Sequence, residues 1–358
     1  MPDASRHPPK RSSGALRQRR VPLPWPKDRD FRILSIDGGG IRGIFPAVFL
    51  AGLEERYLNG RSVAGCFDLV AGTSTGGVLA IGLGAGLTAA DLSELYISRG
   101  GEIFPPPRSG LIGRLQIWAR TICSYAGYRY DRHTLMQLLH ERLGDRKFGE
   151  SMNRLCVPSF DGRHGEVYIF KTPHHPDFRS DAREPMTKVA AATAAAPTYF
   201  RPLEEGGYIF VDGGVWASNP VMIALVDALS CFDIPRERIR ILSLGCGDDP
   251  YTVDREKIVL GGMFAWRDII FAAMRLQSLN ALGQAGLLVG PENVLRVDAP
   301  ANHKEIKMDD WRRAKEELPE AAREALQVWG GRVADTFLSD PATAYKQFAD
   351  DTLSEREK

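Results

Sequence analysis

The chain has no surplus of charge and few cysteines, and both deficits exclude classes of protein. Among its 358 residues, 46 are Lys or Arg and 45 are Asp or Glu, which leaves a formal net charge of +1. A dedicated DNA- or RNA-binding protein would carry a strong basic excess, so we expect no nucleic-acid partner and only a local pocket for any nucleotide. The five cysteines include no C-x-x-C pair. We therefore expect neither a disulfide framework nor a metal site, and a reducing, cytoplasmic compartment is favoured.

The sequence also lacks the long apolar segments that membrane insertion or secretion requires. The uncharged run over residues 69–90 reaches bilayer length, but it contains six glycines and the polar sequence Thr-Ser-Thr. We interpret it as a buried strand, a turn and a helix. Residues 1–29 are rich in proline and basic side chains without an apolar core, which predicts a disordered basic arm. Its run Arg17–Arg20 is either a solvated tail or a contact for anionic lipid heads.

A serine lies between two glycines where a predicted strand meets a predicted helix. Ser74 is the centre of Gly72-Thr73-Ser74-Thr75-Gly76, which follows the apolar run 67–71 and precedes the apolar run 77–81. This G-x-S-x-G pattern in a strand-turn-helix context is typical of a nucleophile elbow. The glycines Gly72 and Gly76 allow a tight turn that exposes the hydroxyl to a neighbouring base. Taken alone, the pattern also occurs by chance in glycine-rich turns.

A glycine-rich segment follows the strand predicted at residues 31–36. It consists of Asp37-Gly38-Gly39-Gly40-Ile41-Arg42-Gly43 and leads into a helix-like stretch, so a dinucleotide-binding turn is one interpretation. That fold expects an acidic residue at the end of the next strand, where this chain has the serine elbow instead. We therefore favour an oxyanion site, in which glycine N–H groups stabilise the charge of a tetrahedral intermediate. Arg42 is expected to add a cation near the oxyanion or to hold a phosphate head group.

A proton acceptor for Ser74 is predicted at the end of a later strand. Residues 208–211 lead into Asp212-Gly213-Gly214, and open α/β sheets place functional groups at such strand ends. A lone Asp-Gly is more commonly a turn or a helix cap. Histidine is the usual base, but none of the seven histidines follows a strand late in the chain as a triad would require. The simplest mechanism is a Ser–Asp dyad.

In combination, the three segments resemble the patatin-like phospholipase family, which is marked by D-G-G-G-x-R-G, G-x-S-x-G and D-G-[GA] in that order. The chain matches these motifs at Asp37–Gly43, Gly72–Gly76 and Asp212–Gly214. The resemblance covers residues 31–300. It implies that Ser74 is the nucleophile and Asp212 its proton acceptor, with Gly39, Gly40 and Arg42 shaping the oxyanion site. No metal or other cofactor is implied.

A narrower resemblance concerns residues 31–37, 211–221 and 276–290. These stretches are similar to the bacterial patatin-like effectors of cyclic-oligonucleotide anti-phage signalling. The resemblance implies a cyclic dinucleotide activator and membrane phospholipids as substrate, degraded at the inner membrane surface. Two alternatives stay open, namely a constitutive lipid acyl hydrolase and a non-catalytic binding module.

Strands and helices alternate along the chain, which predicts an α/β fold with a mostly parallel central sheet between two helical layers and a helical C-terminal cap. We predict strands at 31–36, 67–71, 167–171, 208–211, 239–245 and 293–297, and helices at 44–57, 76–83, 131–143, 185–195 and 263–288. The predicted division is a catalytic domain at 30–300 and a charged, solvated helical extension at 301–358. Residues 102–130 are expected to form a lid, with core packing as the alternative. Residues 264–288 bury an apolar face either in the core or against a second subunit of a homo-oligomer.

Overall fold

The computed structural model describes residues 20–107, 127–247, 253, 269–299, 306–345 and 347–348. Residues 1–19 of the basic arm predicted at 1–29, and the centre of the predicted lid at 108–126, therefore lie outside the described residues. The rest of the arm is not disordered as predicted, because Trp25 is buried in the structure. The strands are β1 (Leu23–Pro24), β2 (Phe31–Ile36), β3 (Leu69–Gly72), β4 (Arg154–Asp161), β5 (Glu166–Lys171), β6 (Leu203–Glu205), β7 (Tyr208–Asp212), β8 (Phe232–Asp233), β9 (Ile239–Leu244) and β10 (Val294–Val297). The helices are α1 (Ile44–Leu58), α2 (Thr75–Gly84), α3 (Ala89–Ile103), α4 (Arg132–Leu143), α5 (Met186–Thr193), α6 (Gly214–Ala217), α7 (Val221–Cys231), α8 (Ile269–Val289) and α9 (Trp311–Val333).

An eight-stranded sheet organises the fold. Its order is β10-β9-β2-β3-β4-β7-β6, with β5 paired to β4 outside this path. The run from β10 to β4 is parallel, whereas β5, β6 and β7 pair antiparallel. Ile36 at the end of β2 pairs with Gly72 at the end of β3. The glycine-rich segment and the serine elbow, which follow these two strands, therefore start side by side at one edge of the sheet.

Alternate side chains of the strands enter two separate cores. Leu34, Ile36 and Val70 pack into the larger core, together with helices α1, α2, α5 and α9. Ile33 and Leu69 face the other way, into a smaller core formed with α7 and α8. Strands buried on both faces are expected where helices cover a parallel sheet on both sides. The structure thus confirms the three-layer α/β/α architecture.

Most predicted elements agree with the observed ones. Their observed ends lie within two residues of the predicted ones, apart from the start of α8, because residues 263–268 lie outside the described part. Strand β4 was not predicted. Its sequence contains Pro158, which cannot donate a ladder hydrogen bond and so argues against a strand. The short strand β6 and helix α3 were also not predicted.

Helix α9 is not the solvated extension that its charge suggested. Ala314, Leu318 and Ala321 are buried in the larger core, where α9 packs against α1. The two helices approach closely, since a Cβ atom on Gly52 of α1 would lie 2.5 Å from Leu326 Cδ2. The region is helical as predicted, but one face of the helix belongs to the core. The domain boundary at residue 300 stays a prediction.

In the ranges that the structure describes, no helix combines the length and the apolar character needed to cross a bilayer.

Candidate active site

Ser74 occupies a strained turn between β3 and α2. Its φ of 55° and ψ of −121° lie in a region that residues with a side chain rarely adopt, at a cost of about 1–3 kcal/mol. The turn is also very close-packed. A Cβ atom at Gly72 would lie 2.0 Å from Gly76 O, and one at Gly76 would lie 2.3 Å from Ile36 O. Both motif glycines are therefore required by the close approach of backbone segments, and the hydroxyl of Ser74 is presented at the sheet edge.

Thr193, at the end of α5, holds the backbone of the elbow. The Ser74 N–H donates to Thr193 Oγ1 over 3.0 Å, and the same hydroxyl donates to Pro158 O over 2.6 Å. Thr193 is fully buried. This alanine-rich helix packs beside the elbow, because a Cβ atom on Gly77 would lie 2.7 Å from Thr193 Cγ2. The hydrogen-bonding role of Thr193 was missed, although a single threonine within an alanine run was the signal.

Ser74 and Asp212 form a direct hydrogen bond. The Ser74 hydroxyl donates to Asp212 Oδ2 over 2.6 Å, and the other carboxylate oxygen accepts the Gly214 N–H over 2.6 Å. Burial raises the pKa of Asp212 to about 6, and the two hydrogen bonds only partly oppose this effect. The pair thus consists of a hydroxyl and a carboxylate that is more basic than an ordinary aspartate.

Asp212 reaches the elbow by a route that differs from the expected one. Strand β7 is antiparallel to β4, so its end does not belong to the carboxyl edge of the parallel strands. Strand β4 instead continues beyond the edge. Ala71 pairs with Cys156, whereas Asp212 pairs with Ser159, three residues further along β4. Strand β7 therefore runs antiparallel along the part of β4 that extends beyond the edge, and its last residue, Asp212, lies next to Ser74.

The segment after Asp212 connects all three motifs. Gly213 lies against β4, where a Cβ atom would be 2.3 Å from Pro158 O. Thr73 Oγ1 donates to Ala217 O over 2.7 Å, and the Gly38 N–H donates to Ser218 O over 2.9 Å. The elbow and the glycine-rich segment are therefore both attached to the chain that follows the aspartate.

This attachment requires a correction to the predicted oxyanion donors. The Gly38 N–H is already used by Ser218 O, so in this conformation it is not available to a substrate. The N–H groups of Gly39 and Gly40 have no acceptor among the described residues. Gly40 has a φ of 59°, and a Cβ atom there would lie 2.5 Å from Met308 O. Only glycine fits this position, so the predicted glycine-rich segment retains two candidate donors.

Arg42 and its neighbours brace the glycine-rich segment. Arg42 Nε donates to Gly39 O over 3.2 Å, and its Nη1 donates to Gly247 O over 2.7 Å. The Gly39 carbonyl and the Gly40 N–H belong to one trans peptide group, in which they point in opposite directions. Because Arg42 binds the carbonyl, the Gly40 N–H points away from the Arg42 side chain. Asp37 is fixed by Arg296 over 2.8 Å. Gly43 packs on the elbow, since a Cβ atom there would lie 2.2 Å from Thr75 Oγ1.

None of the five histidines in the described ranges forms a hydrogen bond with Ser74 or Asp212. His174 instead pairs with Asp227 over 2.7 Å in the smaller core, where Lys171 Nζ is 2.6 Å from the same carboxylate. Burial alone would raise the pKa of Asp227, but Lys171 and His174 hold it well below its usual range.

The ligand atoms of Cys156, His174 and Asp227 lie within 4.8 Å of one another. Burial raises the pKa of the Cys156 thiol, and Lys171 already supplies the positive charge, so we assign this cluster a structural role.

Aromatic side chains join the two ends of the predicted lid. Phe104 and Tyr130 have ring centroids 5.2 Å apart, and the Tyr130 N–H donates to Tyr199 O over 3.0 Å. The Tyr130 hydroxyl also donates to Asp309 over 3.0 Å. The preceding residue, Met308, accepts the Ile41 N–H at its carbonyl over 2.9 Å. Phe104 is buried in the larger core, as the packing alternative expected. The lid itself stays a prediction.

The serine elbow, the adjacent aspartate and the glycine-rich segment form the arrangement expected of an ester hydrolase with an α/β fold. Residues 34–225 match the family model described as patatin-like phospholipase, and the chain belongs to this family. It is 31% identical over 320 residues to a cGAMP-activated phospholipase of Pseudomonas aeruginosa, which covers 87% of this chain and 90% of the relative. A cGAMP-activated phospholipase of Vibrio cholerae is 34% identical over 236 residues, 62% of this chain and 66% of the relative. Among solved structures, VipD from Legionella pneumophila aligns over 89% of this chain and 72% of its own, with 12% identity and a TM-score of 0.39.

Proposed function

We propose that the protein hydrolyses fatty-acyl esters of membrane phospholipids with Ser74 as nucleophile and Asp212 as general base. The observation that carries the proposal is the 2.6 Å hydrogen bond from the Ser74 hydroxyl to a buried carboxylate. A hydroxyl that is exposed by a strained turn and bonded to a base has the geometry that nucleophilic catalysis needs.

The reaction proceeds in two halves. Ser74 Oγ attacks the ester carbonyl while Asp212 takes its proton, and the carbonyl oxygen becomes an oxyanion near the Gly39 and Gly40 amides. Collapse of this intermediate breaks the ester bond, and the leaving lysophospholipid alcohol receives the proton from Asp212. Water then gives a proton to Asp212 and attacks the acyl-enzyme. Release of the fatty acid returns that proton to Ser74.

The environment of Asp212 explains why a carboxylate can serve without histidine. A general base is most effective when its pKa lies near the working pH, because it is then both ionised and reasonably basic. Burial moves the pKa of Asp212 from 3.8 to about 6, which is toward neutrality. The Gly214 N–H fixes the carboxylate so that its other oxygen faces the serine.

We further propose that a cyclic dinucleotide activates the enzyme in anti-phage defence and that the enzyme acts in the cytoplasm, at the inner surface of the membrane. Two relatives are named cGAMP-activated phospholipases, and one of them aligns with most of this chain. The near-zero net charge is consistent with a small local nucleotide pocket. A constitutive lipid acyl hydrolase with the same catalytic pair is the competing function.

The test is release of fatty acid from vesicles of bacterial phospholipids, with and without a panel of cyclic dinucleotides. We expect release only with one nucleotide, and none with Ser74→Ala under any condition. Activity without a nucleotide would reject activation and leave the constitutive hydrolase. Substantial activity of Ser74→Ala would reject Ser74 as the nucleophile. A fluorophosphonate should label the wild type and not Ser74→Ala, and this labelling distinguishes an enzyme from a binding module.

A further inference from the structure

Helix α8 has an apolar inner face and also exposes large apolar side chains on its outer face, which is unusual for a helix at a protein surface. Its 21 residues include one charged side chain, Arg275. Its inner face places Ala281, Ala285 and Val289 in the smaller core. On the outer face, Ile269 is 45% exposed, Leu276 60% and Leu287 88%. A surface helix normally presents polar side chains to the solvent, so these exposed apolar side chains mark a candidate contact surface.

The exposed residues form one continuous row. The row consists of Ile269, Ala273, Leu276, Asn280, Gly283 and Leu287, all of which are exposed. Their spacing alternates between four and three residues, so the pattern repeats every seven residues, which is the repeat of a coiled-coil seam. Leu279, 52% exposed, flanks the row. A seam of this kind is completed by another helix.

We propose that this row is a homodimer interface in which α8 pairs antiparallel with α8 of a second copy. The spacing of the row is symmetric about residue 278, so a two-fold axis there brings each member opposite another member of the same row. Ile269 meets Leu287 of the second copy, and Leu276 meets Asn280 of the second copy. The small residues Ala273 and Gly283 meet each other and allow close approach of the helices. Such self-complementarity is what an isologous interface needs.

Charge also favours a second copy of this chain. A charged residue near a two-fold axis faces its own like charge, which opposes association. The row contains no Asp, Glu, Lys or Arg. It can therefore meet its own image without like-charge repulsion, and Asn280 supplies an uncharged hydrogen-bonding group.

The position of α8 argues against a bilayer as the partner. A short turn links α8 to β10, which is parallel to β9, so α8 runs from the carboxyl edge of the sheet toward the opposite edge. Its N-terminal half lies beside the candidate active site, where a Cβ atom on Gly214 would be 3.4 Å from Met274 Cε. From Ile269 to Leu287 the row extends about 27 Å. A membrane at the active-site edge would reach only its first turns.

The experiment is sedimentation velocity of the purified full chain at micromolar concentration. We expect a dimer for the wild type and a monomer for Leu276→Glu, with Leu287→Glu as a second disruptive variant at the end of the row. The matched control is Val328→Glu on α9, where the side chain is 71% exposed but outside the row, and it should stay a dimer. Because Leu276 is exposed, circular dichroism should be unchanged.

A charge-pair variant tests the antiparallel arrangement. In Leu276→Glu/Asn280→Lys, the new carboxylate at position 276 faces the new ammonium at position 280 of the second copy, so the dimer should return. A parallel pair would place like charges opposite each other and stay monomeric, which would overturn the proposed geometry. A monomeric wild type, or a dimer unaffected by both single variants, would overturn the interface. Flotation of a monomeric wild type with phospholipid vesicles, lost in Leu276→Glu, would assign the face to lipid instead.

Discussion

Thr193 offers a direct test of how the elbow is held in its strained conformation. In Thr193→Val the side chain keeps its shape but loses Oγ1, so the Ser74 N–H and the Pro158 carbonyl both lose their partner. Leaving a buried polar group unsatisfied costs about 1–3 kcal/mol. Two groups are affected here, and the elbow itself carries about 1–3 kcal/mol of backbone strain.

We expect part of this free energy to appear as a lower thermal midpoint and part as a displaced Ser74 hydroxyl. If about 1.4 kcal/mol of it disturbs the transition state, kcat falls about tenfold, while KM should change little because Thr193 is fully buried. Thr193→Ser keeps the hydroxyl and should restore kcat. The control Thr187→Val changes a buried threonine of the same helix that does not bond to the elbow.

The assay combines steady-state fatty-acid release with the rate of fluorophosphonate labelling of Ser74. A positioning role predicts that kcat and the labelling rate fall together in Thr193→Val and recover in Thr193→Ser. Wild-type kinetics in Thr193→Val would refute the reasoning. Equal losses in Thr187→Val would also refute it, since a general weakening of α5 would then explain the effect.

Four further predictions concern buried charges and close packing. In the proposed mechanism Asp212 acts in its ionised form, and its pKa is about 6. The acylation rate should therefore fall about tenfold per pH unit below that value, and a pH-independent rate between 4 and 7 would exclude Asp212 as the base. The raised pKa also means that the native state loses stability as pH rises from 3.8 to about 6. Asp212→Asn should therefore raise the thermal midpoint at neutral pH, by an amount that corresponds to roughly 3 kcal/mol. An unchanged midpoint would contradict the burial argument. Gly40→Ala would place a Cβ atom 2.5 Å from Met308 O, so kcat should fall about 100-fold while the fold persists in circular dichroism, and near-normal turnover would remove Gly40 from the oxyanion site. Lys171→Met leaves Asp227 without its ammonium partner and should destabilise the protein by about 3–5 kcal/mol in denaturant titration, whereas a small loss would show that the pair contributes little.

The sequence was sufficient for the parts of the site that depend on local chain geometry. The elbow needs glycines because backbone atoms approach at Gly72 and Gly76, and this requirement appears directly as a motif. The strand before Ser74 and the helix after it are short apolar runs whose ends are easily recognised. These features predict the position of the nucleophile without any knowledge of distant contacts.

The sequence pattern did not predict features that depend on pairing between distant segments of the chain. Strand β7 brings Asp212 to Ser74 because it pairs antiparallel with the end of β4. Strand β4 was not predicted because it contains Pro158. The use of the Gly38 amide by Ser218 likewise joins segments far apart in the chain. Helix α9 appeared solvated because its charges dominate its composition, while small alanines form its buried face.

The attachment of Thr73 and Gly38 to neighbouring carbonyls at residues 217 and 218 has a consequence for how this chain tolerates change. The three motifs meet at one point of the backbone, so the connections between them only have to begin and end there. A connection between the motifs can therefore differ in length or sequence without altering the geometry around Ser74, provided that its ends are kept. Substrate preference can diversify in such connections while the chemistry stays constant, and a catalytic unit of this kind can be adapted to new lipids by changing its periphery alone.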